Sequence, residues 1–377
     1  MDSLVPSPLV DIVIPVHSSA RPLERAVRSA LRASEGAAPG QCRVVVVAHH
    51  LSEQEVLAML SEPLRDAVTV LECEGRGSTA AVPRNEALRW STARYVSFLD
   101  SDDTLDPGAV SRWLGIAERR GSDLVIPFQH HEAARADITP ITRPLRSARL
   151  DPVKDRLGYR SSAFGLVRLD IVRTLGASFD ETVRTGEDQA FVMALYTRGS
   201  RIDYAPGTPG YLVHADADVR VSQQPLPLRE EVAAALDLGD YPWFPRTPTE
   251  LRASHVLKYL RVNFFPAVQG LVERGEWSAA HASTAWAVAL ELLHFAPNVE
   301  DRLARADRRV LALLQDSAPE EDLRAALTAR RRFASPGALL TTRARWFLDR
   351  QSPLRVAVAS AVQLVRYRMG NRSARGE

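Results

Sequence analysis

Tyr95-Val-Ser-Phe-Leu-Asp-Ser-Asp-Asp103 is a short apolar run that stops abruptly in three carboxylates. A run without polar alternation has the pattern of a strand buried on both faces, as in parallel sheets covered by helices. Acids crowded at the carboxyl end of such a strand repel one another unless a cation lies among them. Oxygen donors suit Mg²⁺ or Mn²⁺ better than zinc. In open α/β sheets, ligands bind in the crevice beyond the carboxyl ends of the strands. Asp is also a common turn and cap residue, so this stretch alone leaves a plain acidic turn open.

Outward from this stretch the pattern alternates. Residues 10–15 read as a strand and 21–33 as a helix with Leu23, Val27, Ala30 and Leu31 on one face. A strand at 43–48 precedes Ser52, which caps a helix with Glu55 at the capping-box position. After a strand at 68–71, the turn Gly75-Arg-Gly77 leads into a helix over 82–90. Beyond the strand at 95–99, Asp106-Pro107 opens a helix to Arg120, and 123–127 is a fifth strand. Such alternation predicts parallel βαβ units with right-handed crossovers.

From 130 to 160 the periodicity dissolves, predicting a long surface excursion of the kind that often contacts substrate. Regular structure resumes over 165–175 and 188–198, with short strands at 202–204 and 211–214 around a Pro/Gly turn. Pro225, Pro227, Pro242, Pro245 and Pro248 mark a change of regime, and beyond Thr249 the patterns are helical: 251–270, 278–295, 299–314 and 320–332. The predicted organisation is a mostly parallel, Rossmann-like α/β domain over 1–225 and an all-helical region over 226–377.

A length of 377 residues exceeds one ordinary core, in keeping with two units. The apolar and charged fractions, 45% and 25%, are those of a soluble globular protein. No apolar stretch approaches the ~20 residues needed to cross a bilayer, and the first ten residues lack the pattern of a secretion signal. Cys42 and Cys73 are expected to be core thiols in a reducing cytoplasm. The net charge is +2, yet eleven arginines from Arg330 onward face only Asp349 and Glu377, so an acidic body carries a basic tail. That distribution argues for an anionic surface as partner of the tail alone. Nucleic acid is not expected, because the basic residues lack interleaved aromatics.

Polar clusters fall at the predicted element ends. Asp100-Ser-Asp102-Asp103 is one, Gly186-Glu187-Asp188 a second, and His214, followed by Ser222, a third; Arg84-Asn85 begins the helix after the glycine turn. Such groups fit a phosphate-rich substrate held through a metal: carboxylates for the cation, an arginine for remaining charge, and a further carboxylate as general base. Each has a plain structural alternative, since acids favour the first turn of a helix and Arg84 and His214 fit a solvated helix position and a strand end.

The order strand-Pro15, Arg84-Asn85, Phe98-Leu-Asp-Ser-Asp-Asp103, Phe179-Asp-Glu181 and Gly186-Glu-Asp188-Gln-Ala-Phe191 resembles the family 2 glycosyltransferases over residues 8–222. The resemblance implies a GT-A fold and an inverting enzyme that uses a nucleotide-activated sugar with Mn²⁺ or Mg²⁺. It implies that Asp102 contacts the metal bridging the donor diphosphate, with His214 a candidate final ligand. Asp100 and Ser101 then serve the nucleoside side, Pro15, Val16 and His17 lie against the nucleoside, Arg84 balances charge, and Glu187 orients the loop or ligand. Asp188 is the implied catalytic base.

Several positions depart from the family pattern. Pro83 replaces the alanine of its Ala-Arg-Asn element, Ala48-His49-His50 stands where many members carry a base-reading acid, and His17 replaces Tyr or Phe. UDP is therefore expected only because the family favours it. No Gln-x-x-Arg-Trp element follows Asp188, and Arg345-Trp346 lies far downstream, so a single-addition enzyme is expected rather than a polymerase. His17, His49, His50, His130 and His131 show no assignable spacing of their own and are expected on the surface.

Residues 353–368 carry an apolar stretch flanked by arginines, which suits either the face of an anionic leaflet or docking on the domain. The implied acceptor is a glycan, polyol-phosphate or lipid-linked molecule met in the cytoplasm, with residues 330–377 touching the membrane surface. The competing classes are a sugar-phosphate nucleotidyltransferase and an inactive GT-A scaffold. The first needs a Gly-rich basic loop after the first strand, which His17-Ser-Ser-Ala-Arg-Pro22 does not provide; the retained acids speak against the second.

Overall fold

The computed structural model describes residues 7–75, 79–132, 139–216 and 225–375, with side chains to residue 365. Strand β1 (Val10–Val16) is buried along its whole length. It pairs in parallel with β2 (Cys42–His49), Val10 opposite Cys42, and β2 pairs in parallel with β3 (Val68–Cys73). On its other edge lies β4 (Tyr95–Phe98), also parallel, Val10 opposite Tyr95. Successive side chains enter different cores. Ile12, Ile14 and Val16 pack with Trp113 and Val27 on one face, whereas Val13, Val96 and Phe98 pack with Phe191 and Leu195 on the other. Both faces are dry, which is why the strand sequences are continuous in apolar residues.

The second half of the sheet contains a reversal. After β5 (Thr104–Leu105) come β6 (Leu124–Pro127), β7 (Gln129–His131), β8 (Leu166–Arg168), β9 (Ile202–Ala205) and β10 (Tyr211–Val213). The seven-stranded order is β3-β2-β1-β4-β8-β6-β9, with β8 antiparallel to both β4 and β6. Residues 165–175, regular in sequence, thus divide into β8 and the helix Leu169–Leu175. Gly165 permits the insertion: its φ is +109°, and a Cβ there would lie 2.2 Å from the Val125 carbonyl oxygen. Strands β5, β10 and β7 form a separate small sheet. Since β5 continues the chain from β4 and β7 continues it from β6, this sheet stands past the carboxyl ends of the main strands.

Ser52 and Glu55 form the expected capping box, and Cys42 and Cys73 are free thiols. The excursion after β7 is pinned rather than loose where it is described. Asp155 is fully buried and accepts from the Arg143 guanidinium at 2.7 Å and the Asp151 N–H at 2.8 Å, and Arg156 donates to the Arg350 carbonyl at 2.8 Å. Among the sequence features named above, Gly77, Ser222 and residues 133–138 lie outside the described residues.

Beyond residue 225 the described structure is helical. Leu238, Phe244 and Leu251 join the core beneath the sheet, while Val256, Leu260, Val288, Leu292, Val310 and Leu314 build a helical core of their own. The helix expected over 251–270 is Thr249–Tyr259 and Phe265–Glu273 joined by a π-helical turn at Leu260–Phe264. Pro266 explains the irregularity, because it offers no N–H to the preceding turn. The last helix, Pro353–Arg375, is tied to the excursion by Gln363, which donates to Thr142 at 2.8 Å. No helix among the described residues is long and apolar enough to cross a membrane.

Candidate active site

At the carboxyl ends of β1 and β4 lies a cavity of about 340 Å³. Its lining includes Pro15, Val16, His17, Arg84, Asp100, Ser101, Asp102 and Glu187. These groups come from segments spread over more than 170 residues, so the sheet, not local sequence, assembles them. Asp188 and His214 are not part of this lining but follow in sequence the lining residues Glu187 and Val213.

Arg84 is the electrostatic hub. Its Nη2 donates to Asp100 Oδ1 at 2.5 Å and its Nη1 to Glu187 Oε1 at 2.8 Å, although its side chain is only 5% exposed. The guanidinium also lies 5.3 Å from the Phe179 ring centre. Desolvation alone would lower its pKa, but Asp100, Glu187 and Asp188 outweigh it and hold the group firmly charged. Arg84 is therefore buried and paired, not a solvated helix residue. Asn85, next on the helix Ala81–Trp90, points to a different partner: it accepts from the Phe179 N–H at 2.8 Å and donates to the Phe179 carbonyl at 3.0 Å. The pair thus divides its work, one side chain for the carboxylates and one for the loop behind them.

That loop runs from Phe179 to Glu187, closed by the Asp180 N–H donating to the Glu187 carbonyl at 2.9 Å. Gly186 has a φ of +78°, and a Cβ on it would lie 3.0 Å from Ala234 Cβ and 3.4 Å from the Tyr259 hydroxyl. Glycine is required here on both counts. Asp188 then begins the helix Asp188–Thr197 and is half-buried. Desolvation, and next the Glu187 charge, push its carboxyl up to about 7, against the pull of Arg84 and Lys258. Glu187 is paired with Arg84, whereas Asp188 accepts a long contact from Gln189 at 3.4 Å, an arrangement suited to proton exchange near neutrality.

The three acids after β4 are held differently. Asp102 Oδ2 accepts from Arg21 Nη1 at 2.9 Å, and the Asp102 carbonyl accepts from Arg25 at 2.5 Å. Asp103 faces inward, accepting from the Tyr211 hydroxyl and the His214 N–H, both at 2.9 Å; desolvation and the nearby Asp100 charge push it up to about 7. Asp100, raised first by desolvation, is restrained by Arg84. His214 is buried, with Nε2 2.8 Å from the Thr104 hydroxyl and Nδ1 2.6 Å from Glu132. Both ring nitrogens are engaged, so metal ligation requires one of these partners to be exchanged.

His49 is not at the surface: it is 2% exposed, lines the cavity, and lies 3.1 Å from the Gly75 carbonyl through Nε2. His130 is half-buried and pairs with Asp106 at 3.0 Å, and His50 stacks on His49 with ring centres 3.9 Å apart. Three residues unmarked in the sequence also belong here. Arg21 and Gln129 line the cavity, and Lys258, on the helix Thr249–Tyr259, lies with its Nζ 4.1 Å from the Tyr259 ring centre. Burial pushes Lys258 down to about 8 against the raising effect of Asp188 and Glu231. A signal for Lys258 existed: it is one of two lysines in a chain that otherwise uses arginine.

Among the described residues no three His, Cys, Asp or Glu side chains converge as a self-sufficient metal cage. Asp100 and Asp102 nevertheless present carboxylate oxygens to one cavity. That donor set suits a hard cation held by one or two carboxylates together with substrate phosphates.

Residues 11–176 match the family described as Glycosyl transferase family 2. The poly(ribitol-phosphate) beta-N-acetylglucosaminyltransferase TarP of Staphylococcus aureus is 23% identical over 185 residues, 49% of this chain and 56% of TarP. The succinoglycan biosynthesis protein ExoO of Rhizobium meliloti is 25% identical over 222 residues, 55% of this chain and 61% of ExoO. The matched region thus spans little more than half the length of these curated relatives. The crystal structure of S. aureus TarS 1–349 in complex with UDP-GlcNAc superposes with a TM-score of 0.68 at 17% identity, covering 86% of this chain and 91% of TarS 1–349. That likeness establishes the GT-A fold.

Proposed function

We propose, from the premise that residues 11–176 belong to the family 2 glycosyltransferases, that the chain moves a single sugar from a UDP-sugar to an acceptor hydroxyl on a cell-wall glycan. The observation that carries this reading is the gathering of Pro15, Val16, His17, Arg84, Asp100, Ser101, Asp102 and Glu187 around one cavity. UDP is favoured by the UDP-GlcNAc complex of the TarS fold relative. A polyol-phosphate acceptor is favoured by the name of TarP; a lipid-linked glycan remains the second candidate.

Asp102 would hold Mn²⁺ or Mg²⁺, with Asp100 beside it and His214 available if it releases Thr104 or Glu132. When bound, the cation would offset charge growing on the departing diphosphate. The chain's own residues do the rest. Arg84 fixes Asp100 and Glu187 in one geometry, which places the loop bearing Asp188 against the cavity. Asp188 takes the proton of the acceptor hydroxyl as that oxygen attacks the anomeric carbon. The bond to the diphosphate breaks on the opposite side, so configuration inverts.

We also take residues 1–225 as the catalytic domain and 226–377 as a helical region that supplies acceptor contacts. The arginine-rich segment 330–377 would rest on an anionic membrane face on the cytoplasmic side; its side chains beyond residue 365 lie outside the described residues. Val358 and Val365, 58% and 54% exposed on its last helix, would make the apolar contact. A thermal-shift screen of UDP-, GDP- and dTDP-sugars with and without Mn²⁺ tests the donor assignment. Stabilisation by UDP-sugars that depends on the metal is expected. No metal-dependent stabilisation by any nucleotide would leave a binding scaffold as the better reading.

A further inference from the structure

We infer that Arg21 is a ligand of the donor diphosphate which, when no donor is bound, occupies the carboxylate of Asp102. The inference rests on the reading of Asp102 as the metal-holding residue. Among the described residues three arginines line the cavity: Arg21, Arg84 and Arg184. Arg84 is spent on Asp100 and Glu187 and is 5% exposed, so it cannot swing toward a ligand without abandoning two carboxylates. Arg184 belongs to the rim, 55% exposed and 3.4 Å from Glu230. Arg21 is different, because its partner is the acid that a cation would take.

The geometry of that pair is specific. Arg21 leaves the carboxyl end of β1 on the short segment before the helix Leu23–Ala33, and its Nη1 lies 2.9 Å from Asp102 Oδ2. The two side chains are 16% and 14% exposed, so the contact is partly shielded from water. Arg25, one turn further along, holds the Asp102 backbone carbonyl at 2.5 Å and Asp216 Oδ1 at 3.0 Å. The helix therefore anchors the Asp102 loop through its backbone, while Arg21 pairs with the Asp102 side chain. His17 is close enough that the Arg21 charge, after desolvation, helps to lower its pKa.

One carboxylate oxygen cannot serve a guanidinium and a divalent cation at full strength together. When Asp102 turns to the cation, Arg21 gives up this ion pair inside a cavity that has just gained a diphosphate. A planar guanidinium binds phosphate oxygens bidentately, so the exchange replaces one ion pair by two. Arg21 then opposes metal binding without nucleotide and favours metal and nucleotide together, a positive coupling between the two ligands. The device keeps Asp102 neutralised in the donor-free enzyme and ties cation uptake to arrival of the donor.

Wild type, Arg21→Met, Arg21→Lys and Asp102→Asn, each checked for native circular dichroism, are titrated with MnCl₂ while free Mn²⁺ is followed by electron paramagnetic resonance. UDP is then titrated by calorimetry at saturating Mn²⁺. Arg21→Met is expected to take up Mn²⁺ alone several-fold more tightly than wild type and to bind UDP with Mn²⁺ about tenfold more weakly. Arg21→Lys should recover part of the UDP affinity. Mn²⁺ affinity in Arg21→Met equal to or below wild type overturns the guarding role, and unchanged UDP affinity overturns the phosphate role. If Asp102→Asn binds Mn²⁺ and UDP as wild type does, the metal assignment itself has failed, an outcome separate from either result with Arg21.

Discussion

Replacing Arg84 by Met removes one cation from two carboxylates while keeping most of the aliphatic stem. In the wild type the guanidinium sits 2.5 Å from Asp100 and 2.8 Å from Glu187 with 5% of its side chain exposed. Breaking a buried ion pair by deleting one partner costs roughly 3–5 kcal/mol, because the remaining charge stays desolvated. Here Asp100 keeps 32% exposure and Glu187 18%, so water can relieve part of the penalty and the lower end, ~3 kcal/mol, is expected. That corresponds to a fall in Tm of roughly 4–6 °C. The sign of the pH dependence follows from Asp100, which desolvation already raises and only Arg84, among its large influences, pulls down. Without Arg84 its folded pKa climbs further above the unfolded value. The penalty is therefore absent below the unfolded pKa and grows as pH rises toward the folded one. Thermal unfolding followed by circular dichroism should show a wide gap between wild type and variant at pH 8 and a narrow one near pH 5. An equal gap at both would mean that lost packing, not charge, was responsible, and a gap below ~1 kcal/mol would refute the hub.

Transfer should fall as pH drops through about 7, because the proposed base Asp188 would act only as the carboxylate and desolvation raises its pKa to about 7. Lys258→Met removes a charge that favours this carboxylate, so the same limb in a pH–rate profile should move upward by about one unit; an unmoved limb would disconnect Lys258 from Asp188. Tyr211→Phe deletes the hydroxyl that donates to Asp103 and accepts the Asp100 N–H at 3.1 Å. About 1–3 kcal/mol of stability should be lost in denaturant unfolding, together with weaker UDP binding. Gly186→Ala forces a Cβ to 3.0 Å from Ala234 at a φ of +78°. It should abolish transfer while far-ultraviolet circular dichroism stays native, and full activity would show that the loop geometry is not needed.

Much of this was legible because it depends on periodicity and on abrupt changes in it. Residues 10–15, 43–48 and 95–99 read as strands, within a residue of the observed bounds, since both faces are buried, and the carboxylates of Asp100 and Asp102 end the apolar run where the sheet ends. Strand β8 was not legible: three residues carry too little pattern, and its reversed direction is set by pairing with β4 and β6 and by the close approach at Gly165. The same holds for the partners of the site. Arg21–Asp102 and Arg84–Glu187 join residues 81 and 103 positions apart, and no local rule foretells such pairs. His49 read as a surface residue because a polar side chain at a strand end usually is one, yet here the end of β2 is a cavity wall.

Asp188 is the proposed base, and inverting transfer depends on it. Asp188→Asn keeps the size of the side chain and removes its ability to take a proton. Transfer from the proposed UDP-sugar donor to the proposed cell-wall glycan acceptor should be measured for both proteins with Mn²⁺ present, alongside calorimetric binding of UDP. UDP affinity equal to wild type with transfer reduced by about 10²–10⁴-fold is the expected result. Transfer at the wild-type rate by Asp188→Asn would contradict it.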